Sequence, residues 1–401
     1  MNLIARAREY PRLGLVLLAY VAFIALGMPD GLLGIAWPSI RADFSLPLDA
    51  LGALLVASTT GYLISSSLSG TLIARMGVGR VLLASCAVTG LALLGYTLVP
   101  DWWMIVLLGI FAGLGAGAID AGLNTYVAAH FGEGLMQWLH ASYGVGVTLG
   151  PIIMTLTLTR LNSWRVGYDI VSGVQFALAA CFLMTLAMWN QTDDHPELEQ
   201  TKRLTDYKTP MSETVRQFRV WRSVFMFFLY TGAEVSLGVW TYSLLTEARG
   251  VPSEVAGIWA GSYWATFTIG RMLAGLYAKR VGVDALVQGS LLGAILGSIL
   301  LWWNPFNAAS VIAVAMIGFA LAPIFPSMVS GTSQRVGEHF AANTIGIQIS
   351  AAGLSTAVVP SLIGILARQT SLEVIPICIL ALFIILFGLY RSFQIKGVAS
   401  V

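Results

Sequence analysis

The chain has 401 residues, of which 57% are hydrophobic and only 10% are charged, and its formal net charge is +2. Soluble globular proteins carry about 25% charged residues, so this composition excludes a water-soluble protein with an ordinary polar surface. The small net charge gives no indication of a nucleic-acid partner, and we expect none. The main solvent of this chain should therefore be lipid.

Sequence motifs for catalysis and for metal binding are missing. The chain has no Walker sequence, no GxSxG, no HExxH and no Cys/His metal spacing. Its three cysteines, Cys86, Cys181 and Cys378, lie far apart in apolar stretches, which is typical of small buried hydrophobic residues. We therefore expect neither an enzyme nor a bound cofactor or metal.

Twelve apolar runs follow one another along the chain, and about 20 apolar residues suffice to cross the roughly 30 Å hydrocarbon core of a bilayer. The first run is too long for a signal peptide, so we interpret it as an uncleaved span of a plasma or inner membrane. The predicted spans are 13–37, 50–74, 81–99, 103–129, 139–159, 167–190, 223–246, 255–278, 283–303, 308–330, 342–367 and 373–392.

One long polar segment divides these runs into two sets of six. The division predicts an N-terminal bundle at 1–190, a solvated cytoplasmic linker at 191–222 and a C-terminal bundle at 223–401. Inside the linker, Thr209 and Pro210 read as an N-cap followed by proline at the first helical position, which predicts a short surface helix near 210–221.

Lysine and arginine residues fall unevenly between the two sides of the membrane. With the amino terminus inside, the inner segments hold about 16 of these cations and the outer segments about 5, while Arg271 falls inside a span. Positive charge concentrates on the cytoplasmic side of membrane proteins. The asymmetry therefore predicts that both termini are cytoplasmic.

An internal repeat relates the two sets of spans. Gly70-Thr-Leu-Ile-Ala-Arg75-Met-Gly77 after the second span and Gly275-Leu-Tyr-Ala-Lys-Arg280-Val-Gly282 after the eighth share Gly, Arg and Gly at one spacing, about 205 residues apart. The same offset relates Gly113 to Gly318 and Gly132 to Gly337, and an offset one shorter relates Asp30 to Glu234. Two parallel repeats of this kind are typical of secondary transporters.

The segment Gly70–Arg80 resembles the loop between the second and third helices of the major facilitator superfamily. The resemblance implies an all-α membrane protein with twelve transmembrane helices in two six-helix, pseudo-symmetric bundles. Ala74 replaces the aspartate that helps to hold the two halves together in that family. The resemblance therefore implies that the gate depends on arginines, for which the candidates are Arg75, Arg80, Arg271 and Arg280.

Ionisable residues inside spans are costly in lipid and are functional candidates by default. Asp30, Asp120 and Glu234 fall in the first, fourth and seventh spans, which line the central cavity in the superfamily. A carboxyl group whose surroundings change between the two sides can take up a proton on one side and release it on the other. We expect these acids to couple transport to protons, although hydrogen bonding to opened helix backbone is an alternative for Asp30 and Glu234.

Four segments resemble the branch that contains the fucose–proton symporters and the sodium-dependent glucose transporters. They are Gly117–Asn124, Trp138–Gly146, Tyr230–Glu234 and Ala322–Pro326. The resemblance implies symport of a monosaccharide, driven by a proton or a sodium gradient. Asp30 lies about one turn away from the position of the first-helix aspartate in the fucose family.

The candidate substrate-binding residues combine that resemblance with polar and aromatic residues inside spans: Asp120, Asn124, His140, Tyr143, Trp240, Tyr242, Trp264 and Gln348. Aromatic rings can stack on sugars, but packing in the core is the alternative for each ring. For Gln348, the alternative to substrate binding is an interhelical hydrogen bond. For Arg271, the alternative to gating is a bond to a structural partner or a position near the end of its span.

A second function is kept open. Gly146-Val-Thr-Leu-Gly150-Pro151 matches half of the signature of drug–proton antiporters, although the closing glycines are absent. The alternative is therefore a proton-coupled exporter of drugs or other small molecules. In either case we expect a small-molecule substrate, a lipid environment and a monomer.

Overall fold

The computed structural model describes residues 3–130, 133–189, 209–306 and 308–398. These residues form helices and contain no β-strand, so the predicted all-helical fold is confirmed. The helices are α1 (Leu3–Asp43), α2 (Leu51–Met76), α3 (Val78–Leu98), α4 (Trp102–His130), α5 (Glu133–Leu161), α6 (Trp164–Trp189), α7 (Met211–Thr214), α8 (Phe218–Ser243), α9 (Ser253–Val281), α10 (Val283–Trp303), α11 (Ala309–Leu321), α12 (Ile324–Ser330), α13 (Thr332–Val336), α14 (Glu338–Gln369) and α15 (Val374–Val398).

Eleven segments of the described chain are long and apolar enough to cross a membrane. They correspond to all predicted spans except the eighth, which lies on α9. That helix carries Arg271 and many aromatic and hydroxyl side chains, among them Ser262, Tyr263 and Trp264, and these lower its hydropathy. The chain is a multi-pass membrane protein.

The chain forms two compact units, Met1–Asp194 and His195–Val401. In the first unit, α1 packs on α5, α2 on α4 and α3 on α6. In the second unit, α8 packs on α14, α9 on α11 and α10 on α15. In both units the first long helix thus packs on the fifth, the second on the fourth and the third on the sixth.

The repeated sequence motif takes the same backbone conformation in both units. Gly77 ends α2 with φ 82° and ψ 154°, and Gly282 ends α9 with φ 82° and ψ 150°. Side-chain-bearing residues rarely adopt a positive φ, which explains why glycine stands at both corners. Gly337 has a similar conformation, with φ 92°, whereas Gly132 lies outside the described residues.

Glycines allow helix backbones to approach closely in equivalent places of the two units. A Cβ atom on Gly113 of α4 would lie 1.9 Å from the carbonyl oxygen of Ser58 on α2. A Cβ atom on Gly318 of α11 would lie 2.3 Å from the carbonyl oxygen of Tyr263 on α9. The offset of 205 residues that relates the two glycines also relates Ser58 to Tyr263.

Two predicted elements differ in the structure. The tenth span is divided into α11 and α12, because Pro323 stands as the N-cap of α12 just after α11 ends at Leu321. The short helix predicted near 210–221 was placed wrongly: α7 covers only Met211–Thr214, with Pro210 as its N-cap, and α8 already begins at Phe218.

Candidate substrate and coupling site

Asp120 holds hydrogen bonds on both of its carboxylate oxygens. Asn124, one turn later on α4, donates from Nδ2 to Oδ1 at 2.8 Å. The hydroxyl group of Tyr62 on α2 donates to Oδ2. Asp120 and Asn124 can meet because residues four apart lie on one face of a helix. The carboxylate is therefore fixed from its own helix and from the neighbouring one.

Asp30 has a similar partner on another helix. The hydroxyl group of Tyr143 on α5 donates a hydrogen bond to Oδ2 of Asp30 on α1 at 2.7 Å. The side chain of Asp30 is exposed, whereas Tyr143 is half-buried. The carboxylate of Asp30 is therefore held by a hydrogen bond from a neighbouring helix.

The two acids belong to one electrostatic group inside the first unit. Asp30 and Asp120 interact through their charges, and His140 interacts electrostatically with Asp120. The ring of His140 packs edge-on against Phe23 at a centroid distance of 5.9 Å. We call the following residues the first-unit polar cluster: Asp30, Tyr62, Asp120, Asn124, His140 and Tyr143.

Glu234 lies in the second unit, and its side chain is buried. It interacts electrostatically with Arg271 of α9, and its backbone carbonyl accepts a 2.9 Å hydrogen bond from the hydroxyl group of Tyr263. The guanidinium group of Arg271 lies 4.3 Å from the centroid of the Phe267 ring. Glu234 and Arg271 therefore form a second, separate group of intramembrane charges.

Trp240 and Gln348 are fully buried and bonded to structural partners. The indole nitrogen of Trp240 donates to the carbonyl oxygen of Pro360 at 3.0 Å. Nε2 of Gln348 donates to Ser223 at 2.8 Å, and its Oε1 accepts from Thr332 at 3.2 Å. These contacts match the packing and interhelical alternatives for the two residues.

Tyr242 and Trp264 are also buried in the second unit. Trp264 packs edge-on against Tyr263 and Phe267, with ring centroids 4.7 Å and 5.8 Å away. Its indole ring also covers Gly238 on α8, where a Cβ atom would lie 2.4 Å from the ring. In this arrangement the ring packs α9 against α8.

Sequence reasoning missed two half-buried polar residues, Tyr62 and Arg335. A tyrosine inside a span looks like a packing residue, so nothing in the sequence pointed to its bond with Asp120. Arg335, between two spans, hydrogen-bonds the carbonyl of Met328 and the hydroxyl of Thr332. Burial lowers the pKa of Arg335 to about 10, so this cation stays protonated at neutral pH.

Residues 19–360 match the family model described as Major Facilitator Superfamily. The chain belongs to this superfamily. Its members are transporters, so the chain is a secondary transporter and not an enzyme.

Two curated relatives and one solved structure illustrate the relationship. Sodium-dependent glucose transporter 1 of Homo sapiens is 24% identical over 86% of this chain and 72% of its own length. Glucose/mannose transporter GlcP of Bacillus subtilis is 22% identical over 88% of this chain and 87% of its own length. The crystal structure of nucleoside transporter NupG superimposes with a TM-score of 0.76 at 13% identity, over 98% of this chain and 99% of NupG. The similarity to NupG shows the fold alone.

The four arginines that we predict to form the gate lie on α2, α3 and α9. Arg75 lies in the last turn of α2, Arg80 near the start of α3 and Arg280 at the end of α9, and all three are exposed. Arg271 lies deeper in α9 and is half-buried beside Phe267. The gating role of these arginines stays a prediction.

Proposed function

We propose that this protein is a cation-coupled symporter of a monosaccharide and that the coupling ion is a proton. The observation that carries the proposal is the hydrogen-bonded pair of Asp120 and Asn124, with its 2.8 Å bond, inside a spanning helix and within the electrostatic reach of Asp30. A second carboxylate, Glu234, stands beside Arg271 in the other unit and completes the set of coupling acids.

The first-unit polar cluster has the chemistry that a sugar requires. A carboxylate accepts hydrogen bonds from hydroxyl groups, and an amide both donates and accepts them. His140 and Tyr143 add further donors and acceptors beside this pair. The glucose transporters among the relatives support a hexose as the first substrate to test.

Protonation of Asp120 or Asp30 couples the ion to the sugar. A carboxylate is only an acceptor, whereas a protonated carboxyl group also donates, so the proton changes how the site holds a hydroxyl group. Protonation also removes an intramembrane charge, which lowers the cost of a conformation that closes the site from water. Differential binding of this kind drives alternating access between the two sides of the membrane.

The remaining assignments belong to the same proposal. The protein resides as a monomer in a plasma or inner membrane with both termini in the cytoplasm, as the distribution of lysine and arginine favours. Arg75, Arg80, Arg271 and Arg280 contribute to the gate. No cofactor is required beyond the ion gradient, and a sodium gradient is the alternative driving force.

The alternative of a drug–proton antiporter loses its main support. Cβ atoms on Gly146 and Gly150 of α5 would lie 1.9 Å and 2.6 Å from the carbonyl oxygens of Ile24 and Met28 on α1. Both glycines are therefore needed for close packing of α1 on α5, whatever the substrate.

Reconstituted protein tests the proposal directly. Counterflow in proteoliposomes with labelled hexoses, 6-deoxyhexoses and drug cations identifies the substrate class, and a pH gradient or a sodium gradient is then applied separately. We expect counterflow of at least one sugar and uphill uptake with the pH gradient alone. Counterflow of drug cations but of no sugar would contradict the proposal. Sugar uptake driven only by the sodium gradient would show that the coupling ion is sodium and not a proton.

A further inference from the structure

Each acid of the first-unit polar cluster receives a tyrosine hydroxyl from the helix that packs on it. Tyr143 of α5 donates to Asp30 of α1, and Tyr62 of α2 donates to Asp120 of α4. In the second unit, Tyr390 of α15 donates a 2.7 Å hydrogen bond to Asp284 at the start of α10, and Glu234 is hydrogen-bonded to Tyr230, one turn earlier on its own helix. The two first-unit pairs differ from these, because each joins an acid in the interior of one helix to a tyrosine on another helix.

The helix pairing of the first unit relates these two pairs to each other. If α1, α2 and α3 are exchanged for α4, α5 and α6, the contact of α1 with α5 becomes the contact of α4 with α2. The contact of α3 with α4 likewise becomes that of α6 with α1, and the contact of α3 with α6 is unchanged. Inverted three-helix repeats inside each half of a major facilitator transporter have this relationship.

The backbone around each acid repeats the same construction. Gly27 stands three residues before Asp30, and Gly117 stands three residues before Asp120. A Cβ atom on Gly27 would lie 2.4 Å from the carbonyl oxygen of Tyr143. A Cβ atom on Gly117 would lie 2.4 Å from the carbonyl oxygen of Tyr62. In both pairs, a glycine one turn before the acid brings the backbone of the donating tyrosine against the acid's helix.

We propose that Tyr62 and Tyr143 are equivalent positioning residues, which the inverted repeat places so that each orients and stabilises one charged carboxylate, Asp120 and Asp30 respectively. Each hydroxyl favours the ionised form of its own acid, since hydrogen bonds to a charged acceptor are stronger than those to a neutral one. The two tyrosines thus set the pH range in which the acids bind protons. This inference deepens the proposed function, on which its meaning for transport rests.

The other titratable groups near the acids must be considered in any pH experiment. Asp120 faces His140 of α5 and Asp30 of α1 as well as Tyr62. Asp30 faces Tyr168 of α6 and Tyr62 of α2 as well as Tyr143. Removing one tyrosine hydroxyl group should therefore shift mainly the titration of the acid that it bonds. The other acid should shift less, because Asp30 and Asp120 interact through their charges.

Infrared difference spectroscopy of the purified, full-length protein tests this inference without transport. The carboxylic acid band of each acid is assigned by its loss in Asp120→Asn or Asp30→Asn, and its intensity is followed against pH. Tyr62→Phe should move the midpoint of the Asp120 band upward by about one pH unit, and Tyr143→Phe should do so for Asp30. Tyr126→Phe, which removes the hydroxyl of a tyrosine packed on Trp189, is the matched control and should move neither.

Each outcome separates the inference from the proposed function. Selective shifts without any pH-driven sugar uptake would support the positioning role and contradict proton symport. Unmoved midpoints, equal shifts of both bands by either tyrosine variant, or the absence of a titrating band for both acids would overturn the positioning role, even if sugar uptake is driven by protons.

Discussion

Arg249 and Glu373 form a two-pronged ion pair across 124 residues of the second unit. Nε and Nη2 of the arginine donate to Oε1 and Oε2 of the glutamate at 2.8 Å and 2.6 Å. The same guanidinium group also donates to the carbonyl of Leu301 and to Ser310, both at 2.8 Å. One buried cation thus joins the segment after α8 to the end of α10, the start of α11 and the start of α15.

This pair can be compared with a second ion pair of equal length in the first unit. Arg165 and Asp43 also lie 2.6 Å apart, but the arginine is 39% exposed, whereas Arg249 is 6% exposed. Exposed pairs contribute about 0–1 kcal/mol, while removing the partner of a buried charge costs more. We expect Glu373→Gln to destabilise the protein by about 2 kcal/mol and Asp43→Asn by less than about 1 kcal/mol.

Thermal unfolding followed by tryptophan fluorescence in detergent ranks the two variants. The two substitutions are matched, because each replaces a carboxylate of similar exposure, 45% for Glu373 and 41% for Asp43, by its amide. Added salt should reduce the effect of Asp43→Asn and leave that of Glu373→Gln, since screening acts mainly on exposed charges. Equal losses from the two variants would mean that burial of Arg249 does not matter.

The close approach of α2 to α4 predicts that a side chain in place of Gly113 destabilises the protein. A Cβ atom there would lie 1.9 Å from a backbone oxygen, which cannot move without moving the helix. Gly113→Ala should destabilise the protein by about 1–3 kcal/mol. Gly173→Ala on α6 is the matched control, because nothing lies within 4 Å of its Cβ position, and alanine should there be neutral or stabilising by up to about 1 kcal/mol.

The loss of stability in Gly113→Ala should be accompanied by a weaker hydrogen bond from Tyr62 to Asp120, because Tyr62 lies on the displaced helix α2. Thermal unfolding gives the first effect, and the midpoint of the Asp120 infrared band gives the second. An unfolding temperature equal to that of Gly173→Ala would show that the helices separate at no cost.

The sequence predicted those parts of the molecule that depend on local spacing. The pairing of Asp120 with Asn124 follows from a separation of four residues on one helix, and the repeat predicted that Gly77 and Gly282 are equivalent. Contacts between distant helices could not be predicted. The bond from Tyr143 to Asp30 spans 113 residues, and only the packing of α1 on α5 brings the two together.

Burial was equally difficult to predict for the aromatic candidates. A tryptophan in a span can face lipid, a substrate or the core, and its residue type does not distinguish these positions. Trp240 is fully buried because Gly364 leaves room for its ring and the carbonyl of Pro360 accepts its N–H. Trp240 and Pro360 lie 120 positions apart in the sequence, so this contact depends on the tertiary structure.

Cysteine labelling tests the predicted orientation at the two repeated corners. Val78 and Val283 directly follow Gly77 and Gly282 and begin α3 and α10. With Cys86, Cys181 and Cys378 replaced, Val78→Cys and Val283→Cys should react with an impermeant maleimide only from the cytoplasmic side, whereas Ser371→Cys should react only from outside. Labelling of either valine position from outside alone would overturn the predicted topology.

Asp120→Asn tests coupling and substrate binding at one residue. The amide cannot titrate but still accepts and donates hydrogen bonds, so Tyr62 and Asn124 keep a partner while the proton site is lost. One proton moving down 100 mV supplies about 2.3 kcal/mol, enough for roughly 50-fold accumulation. We expect Asp120→Asn to abolish this uphill uptake in proteoliposomes while part of the sugar exchange remains.

Asp169→Asn is the control, at an exposed acid that accepts a hydrogen bond from Thr97 at 2.8 Å, and this variant should accumulate sugar normally. Full accumulation by Asp120→Asn would move the coupling role to Asp30 or Glu234.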